Sequence, residues 1–217
     1  MQTGSSQGLT AVVLAAGAGR RVGHRAKCLL RLDGVPLIRR QLAALADVGV
    51  QTVVLVLGHH AAEIAAAVAD SPVTTVINPD PDHGPATSLR MGLAAVPDHL
   101  GTTLVSLADL ALINAQDLRE LLHAFDQRPF GTDCLVPSVA GQPGHPLVLD
   151  AAARRAWLRL PLYRSGPQWQ ALGPKRVHHW PTDNRHYRWD IDTPQDIEAL
   201  ARYTGQICQW PSHESAL

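Results

Sequence analysis

The sequence predicts an α/β fold built on a mostly parallel sheet with helices on both faces. Three observations carry that expectation. Apolar runs of strand length, at residues 9–14, 52–57 and 102–107, are continuous rather than alternating, as strands buried on both faces must be. Segments with helical apolar spacing separate them. Polar residues follow the strand ends, where open parallel sheets bind their ligands.

The first strand covers residues 10–15. Residues 37–48 follow as a helix, with Leu37, Ile38, Leu42, Leu45 and Val48 on one stripe and Gly49 as its stop. Residues 52–57 are a second buried strand, 61–69 an alanine-rich helix and 74–77 a third strand. A helix over 87–96 ends at Pro97, a fourth strand spans 102–107, and residues 117–125 are helical. Short extended pieces are expected at 134–137, 146–149 and 176–180. A last helix starts near Pro194 and reaches about Tyr203. Residues 159–184, rich in Pro, Trp and His, fit no element and read either as a substrate lid or as irregular surface structure. Residues 1–204 are thus expected to form a single domain and residues 205–217 a loose tail.

The composition narrows the function. A chain of 217 residues that is 46% hydrophobic supports one sizeable core. Nineteen Lys and Arg balance nineteen Asp and Glu, so no global field draws DNA or RNA. Cys28, Cys134 and Cys208 are odd in number and far apart, which suggests neither a disulfide framework nor a zinc site and fits a reducing compartment. Residues 1–8 are polar, without the apolar centre of a signal peptide. No apolar run approaches the roughly 20 residues that cross a bilayer. The expected setting is cytoplasmic, with neither nucleic acid nor membrane as partner.

The stretch from Leu14 to Lys27, L-A-A-G-A-G-R-R-V-G-H-R-A-K, is the most informative in the chain. Gly17, Gly19 and Gly23 let the backbone turn and expose its amides after a strand. Arg20, Arg21 and Lys27 surround the turn with positive charge, so amides and cations together suit a polyphosphate. Two familiar phosphate loops do not fit. The glycine spacing is G-x-G-x-x-x-G and the second strand closes on Leu57-Gly58-His59 without an acid, against a dinucleotide fingerprint. The G-K-[ST] of a P-loop is absent.

The pattern instead resembles the signature of MobA-like nucleotidyltransferases, L-A-x-G-x-x-x-R-x-G with a lysine a few residues on. Leu14, Ala15, Gly17, Arg21, Gly23 and Lys27 meet it. Further motifs follow in the family's order. They are Leu32 to Leu37, Asn78 with Gly84 and Ser88-Leu89-Arg90-Met91-Gly92-Leu93, Leu107-Ala108-Asp109, Gly144-His145-Pro146, and Asp190-Ile191-Asp192-Thr193-Pro194 with Asp196. The family's Gln-Pro or Met-Pro after the aspartate is replaced here by Leu110-Ala111. The resemblance implies a Rossmann-like nucleotidyltransferase fold and transfer of NMP from an NTP to a phosphorylated acceptor, with release of pyrophosphate.

Residue roles follow from the same resemblance. Leu14, Ala15, Ala16, Gly17, Gly19, Arg20, Lys27, Asn78 and Ser88 would bind the nucleotide, with Arg20 alternatively solvated and Ser88 alternatively an ordinary helix residue. Lys27, Arg21 and Asp109 would act catalytically, the cations stabilising charge as pyrophosphate leaves. Asp109, Asp190 and Asp192 are the candidate ligands of Mg²⁺. Asp109 closes a buried strand, where a carboxylate needs a partner. One of Asp190 and Asp192, with Asp190 preferred, would complete the metal site while the other caps the helix at Pro194. Gly144, His145 and Pro146 would face the acceptor, with a structural turn as the alternative for His145. His59-His60 and His178-His179 are adjacent pairs whose side chains diverge, and they read as surface residues. Ala16-Gly17 and the G-H-P segment match the cytidylyltransferase branch, implying CTP and molybdopterin cofactor as substrates and a molybdoenzyme as a possible partner. An enzyme acting on a sugar or polyol phosphate, or a non-catalytic cofactor-binding chaperone, are the competing readings.

Overall fold

The computed structural model of the chain describes residues 8–161 and 172–211. In chain order the strands and α-helices are β1 (Leu9–Ala15), β2 (Arg31–Leu32), β3 (Val35–Pro36), α1 (Leu37–Asp47), β4 (Thr52–Leu57), α2 (Ala61–Ala67), β5 (Val73–Ile77), α3 (Pro85–Ala94), β6 (Thr102–Leu107), α4 (Ala115–Asp126), β7 (Cys134–Val139), β8 (Gln142–Pro143), β9 (Leu147–Leu149), α5 (Ala151–Leu158), β10 (Val177–Thr182), α6 (Pro194–Thr204) and β11 (Cys208–Gln209). The main sheet runs β10-β7-β9-β6-β1-β4-β5, with β8 paired to β7. Its pairs are parallel except where β9 lies antiparallel to β6 and β7, and where β8 folds back on β7. The fold is therefore the expected α/β architecture with a mostly parallel, Rossmann-like sheet.

The continuous apolar strands explain the layering. Along β1, Ala11, Val13 and Ala15 point into one core with Leu45 of α1, Ile64 of α2 and Leu118, Leu121 and Phe125 of α4. Val12 points into the other, with Leu89 and Leu93 of α3 and Ala153 and Trp157 of α5. Period-two side-chain direction thus sends one strand into two cores, which requires helices on both faces.

Two side chains and one glycine fix how the helices meet the central strands. Gln41 of α1 is buried and donates from Nε2 to Ser106 Oγ (3.0 Å) and to the Leu107 carbonyl (2.9 Å), tying α1 to the end of β6. Arg154 of α5 is 1% exposed, yet its guanidinium donates to the carbonyls of Val96, Pro97, Asp98 and Leu100. Four acceptors satisfy a group that would otherwise be costly to bury, and they shape the turn that leads into β6. Gly92 of α3 faces β1 and β4 where a Cβ would collide with Val12 Cγ1 and stand 2.8 Å from Val56 Cγ2. Its place in the S-L-x-x-G-L block is a packing requirement.

Several expectations need correction. The helix α5 was not expected, because its buried face is Ala153, Arg154 and Trp157 rather than an aliphatic stripe. The extended piece expected at 176–180 is present as strand β10 over residues 177–182, paired with β7; of the rest of 159–184, which reads as lid or irregular surface, residues 162–171 lie outside the described residues. The loose tail fails as an expectation for its first residues. Cys208 and Gln209 pair with Leu32 and Arg31 in a second sheet, β11-β2-β3, and Trp210 packs with Leu30, Leu32 and Leu37. All three cysteines are free, and among the described residues no helix is long and apolar enough to cross a membrane.

Gly92→Ala is expected to destabilise the protein by about 1–3 kcal/mol, the usual cost of overpacking a β-branched contact. Urea denaturation followed by circular dichroism measures it, and an unchanged midpoint would refute the packing role.

Candidate functional site

β1 lies between β4 and β6, and the strand order changes direction at the β1–β6 pair. A crevice opens beyond the carboxyl ends of these strands, as such a switch point requires. It is a cavity of about 580 Å³, within the range of small-ligand sites.

The loop after β1 forms one wall. Gly19 adopts φ 60°, and a Cβ there would overlap the Arg25 carbonyl oxygen, so no other residue fits. Its own carbonyl accepts from the amides of Val22 (3.0 Å) and His24 (2.9 Å), closing a short 3₁₀ turn over Arg20–Val22. The two arginines then diverge. Arg20 reaches Asp82 at the rim (2.8 Å), where His59 Nε2 stands 3.2 Å from the same carboxylate oxygen. His60 Nε2 lies 3.2 Å from the Ala18 carbonyl oxygen. Arg21 turns inward to Asp192 (3.1 Å).

The opposite wall is acidic. Asp109 follows β6, and Ala108 N donates to the Leu14 carbonyl (3.0 Å), locking the two strand ends together. The segment carrying Asp190 is pinned beside it. Leu110 and Asp190 form an antiparallel bridge, Ala111 N donates to the Trp189 carbonyl (2.9 Å), and Ile191 N to the Asp109 carbonyl (3.3 Å). Lys27 Nζ sits between the walls, 2.5 Å from Asp109 Oδ2 and 2.7 Å from Asp192 Oδ1. Burial alone would push the Lys27 pKa down. The charge and hydrogen bond of Asp109, then those of Asp192, outweigh burial and hold it above its ordinary value. The hydrogen bond from Lys27 holds Asp192 below the usual carboxylate range against its partial burial, with further help from the Lys27 and Arg21 charges. Asp190 moves the other way, raised by desolvation and then by the negative charge of Asp109.

Neither aspartate caps the last helix, against expectation. Thr193 does, in a capping box with Asp196, whose Oδ2 accepts from the amides of Asp192 (3.0 Å) and Thr193 (2.7 Å). The T-P-x-D spacing carries that signal directly. Both carboxylates are left for the cavity.

Of the candidate residues, Leu14, Ala15, Ala16, Gly17, Arg21, Lys27, Ser88, Asp109, Asp190 and Asp192 line this cavity. Gly19 shapes the loop and Arg20 ties it to the rim. Buried Asn78 stands behind the wall: its Nδ2 donates to Thr87 Oγ1 and Ser88 Oγ, both at 2.9 Å, and its Oδ1 accepts from Asp80 N (3.0 Å). It orients Ser88 rather than facing the cavity. Ala26, Cys28, Ile64, Pro81, Gly84, Pro85, Leu107 and Ala108 also line it. Gly84, Leu107 and Ala108 belong to motifs already named, while Ala26, Cys28, Ile64, Pro81 and Pro85 are mostly apolar surface that no chemical motif marks. Burial, then the Asp109 charge, pushes the Cys28 thiol up to about 12, so it supplies no thiolate.

A family model described as the MobA-like NTP transferase domain matches residues 11–178. The chain belongs to that family. Bifunctional protein GlmU from Rubrobacter xylanophilus is 33% identical over 144 residues, 66% of this chain and 30% of that protein, so the chain spans under a third of its length. Nicotine blue oxidoreductase from Paenarthrobacter nicotinovorans is 33% identical over 155 residues, 68% of this chain and 74% of that protein. The crystal structure of Rv0371c from Mycobacterium tuberculosis matches with a TM-score of 0.76 at 25% identity, covering 91% of this chain and 100% of that one.

The G-H-P segment of this MobA-like chain lies outside the cavity lining. Gly144 N donates to the Pro137 carbonyl (2.8 Å) and His145 N to the Tyr187 carbonyl (2.7 Å); the His145-Pro146 peptide is cis. Tyr187 is buried, and its hydroxyl donates to the Asp117 carbonyl (2.6 Å). Asp117 also accepts from Asn184 (2.7 Å) and stands 2.9 Å from His186 Nδ1. This partly buried polar network, invisible in the sequence, fastens the turn before Asp190 to α4 on one side and to G-H-P on the other. Desolvation pushes the His145 imidazole down to about 4, so it is neutral at physiological pH.

The sign of that shift gives a test. His145 contributes stability that is complete above its ordinary value of about 6.5 and is lost as pH falls toward 4, with a slope of at most about 1.4 kcal/mol per pH unit. Denaturation midpoints across pH 4–7 should show the wild type losing stability faster than His145→Gln over that window. Parallel curves would refute the half-buried neutral imidazole.

Proposed function

We propose that this protein transfers the NMP part of a nucleoside triphosphate, CTP first among the four, to a phosphorylated small-molecule acceptor and releases pyrophosphate. The observation that carries the reading is the convergence of a glycine-rich basic loop and three carboxylates in one cavity at the strand ends. An oxygen of the acceptor phosphate attacks the α-phosphorus, a P–O bond forms there, and the bond to the β-phosphate oxygen breaks in line. The leaving pyrophosphate carries charge away, so the protein positions and neutralises. Leu14 to Gly17 hold base and ribose, and the Gly19 turn presents amides to the phosphates. Arg21 and Lys27 stabilise the charge that builds on the β- and γ-phosphates. No protein nucleophile is required.

The acidic wall fits a divalent cation. Asp190 takes part in no ion pair among the described residues and faces the negative charge of Asp109. No three His, Cys, Asp or Glu side chains among the described residues form a complete metal cage. Mg²⁺ does not need one, because it takes one or two carboxylates and keeps water and phosphate oxygens. Asp109 and Asp190 would hold it, and it would supply charge neutralisation on the triphosphate. Asp192, whose two oxygens are engaged by Lys27 and Arg21, orients the cations.

The finer assignment rests on the resemblance to the cytidylyltransferase branch. A methyl at Ala16 narrows the base site in favour of cytosine. Gly144, His145 and Pro146, which lie outside the cavity lining, would meet the acceptor beyond it, where neutral His145 offers a hydrogen bond rather than a charge. The terminal phosphate of molybdopterin cofactor is the acceptor this implies, in the cytoplasm, with a molybdoenzyme as receiver of the product.

One relative carries an oxidoreductase name, so pyrophosphate release is the deciding readout. The protein should release pyrophosphate from CTP faster than from GTP, ATP or UTP when molybdopterin cofactor and Mg²⁺ are supplied. Release with a sugar or polyol phosphate instead would reassign the acceptor, and release with none of them would favour a binding module. Lys27→Ala should weaken nucleotide binding by roughly tenfold or more, the scale of one lost charge-assisted contact. Asp109→Asn should abolish metal-dependent turnover while its circular dichroism spectrum stays native. Full activity of that variant would end the metal role of Asp109.

A further inference from the structure

Lys27 has two demands on it that one position cannot meet. The transfer reaction needs its ammonium on the triphosphate. In the structure that ammonium lies 2.5 Å from Asp109 Oδ2, on the carboxylate that the reaction needs for a divalent ion. A Mg²⁺–carboxylate bond is about 2.0–2.1 Å long, so ammonium and metal would crowd one carboxylate. They repel each other strongly there, because Asp109 and Lys27 are only 14% and 19% exposed and water screens them poorly.

The surroundings show which contact is exchangeable. Asp192 has a second cation, Arg21, on its other oxygen and stays neutralised if Lys27 leaves. Asp109 has Lys27 as its one ion-pair partner among the described residues, and it neighbours the Asp190 carboxylate. The Lys27 backbone is pinned, since it opens a 3₁₀ turn whose amides at Leu29 and Leu30 donate to the carbonyls of Ala26 (2.9 Å) and Lys27 (3.1 Å). The flexible four-carbon stem is therefore the part that moves.

We propose that Lys27 is the built-in counter-ion of Asp109 and competes with divalent metal for that carboxylate, so that metal is taken up only together with nucleotide, whose phosphates draw the ammonium away. This rests on the reading of Asp109 and Asp190 as an ion site. It reverses the usual expectation for a catalytic lysine: removing its charge strengthens binding of the metal alone while weakening binding of the nucleotide. By linkage, metal and nucleotide each raise the other's affinity by the same factor.

The test uses Mn²⁺ as the probe, counted by the electron paramagnetic resonance signal of the free ion, with and without CTP. Without CTP, Lys27→Met should bind Mn²⁺ at least tenfold more tightly than the wild type, with Lys27→Gln as a second neutral variant should the first misfold. Lys27→Arg, which keeps the charge, should bind it as weakly as the wild type. CTP should tighten Mn²⁺ binding to the wild type at least tenfold and to the neutral variants much less. Equal Mn²⁺ affinity of wild type and neutral variants without CTP overturns the competition, even if pyrophosphate release depends on Asp109. Failure of every protein to bind Mn²⁺ in the presence of CTP overturns the ion site itself, and the competition with it.

Discussion

The parallel register that sets Leu14 beside Leu107 is the constraint on which the rest of the molecule depends. It brings the end of the first strand and the end of β6 to one edge, so a basic loop and an aspartate that are distant in the chain become neighbours. The features that first look unrelated all act on this pair of strands. Gln41 holds the last residues of β6, Gly92 lets α3 lie directly on β1 and β4, and the buried Arg154 shapes the turn from which β6 starts. A hydrophobic core alone would tolerate small shifts of register. A cavity built across two strand ends depends on that register, because a shift of either strand moves one wall against the other.

Electrostatics sets the second constraint, and it works against folding. The chain as a whole is neutral, yet two cations and three carboxylates share one crevice. Asp190 shows the cost: its raised pKa means that ionisation is disfavoured in the native state, so its contribution to stability falls as pH rises through that value. The backbone offsets this locally. The bridge to Leu110, the amide of Ile191 and the capping box of Thr193 and Asp196 hold the acidic segment in place without asking its carboxylates to do so. Stability is spent where the chemistry needs an unsatisfied group.

Much of this was legible in the residue order because the strongest signals are local. Uninterrupted apolar strands announce a sheet buried on both faces, and the glycine and charge spacing of residues 14–27 announces a tight turn ringed by cations. Ten of the candidate site residues line the cavity together. What escaped reading depends on distance in space. The strands β2, β3 and β11 are two residues long and exist through one another. The helix α5 hides its buried face behind alanines and an arginine. The cluster of Asp117, Asn184, His186 and Tyr187 joins segments about seventy residues apart, and no spacing rule relates them. Asn78 shows a subtler limit: its motif position puts it next to the cavity, but its side chain supports Ser88 from behind.

The contact between Lys27 and Asp192 spans 165 residues of chain, and this has a consequence during synthesis. A growing chain that has emerged as far as Asp109 already holds β1, β4, β5 and β6 and three helices between them, enough apolar surface to begin collapsing as it leaves the ribosome. It also holds the loop and Lys27, but neither Asp190 nor Asp192, which arrive more than eighty residues later. Until then the basic loop has only Asp82 at its rim and Asp109 within reach, and the partly made sheet ends at β6 with an open edge that β9 later covers. The interval between these two moments is when the nascent protein most needs protection, and its length is set by the order of the strands.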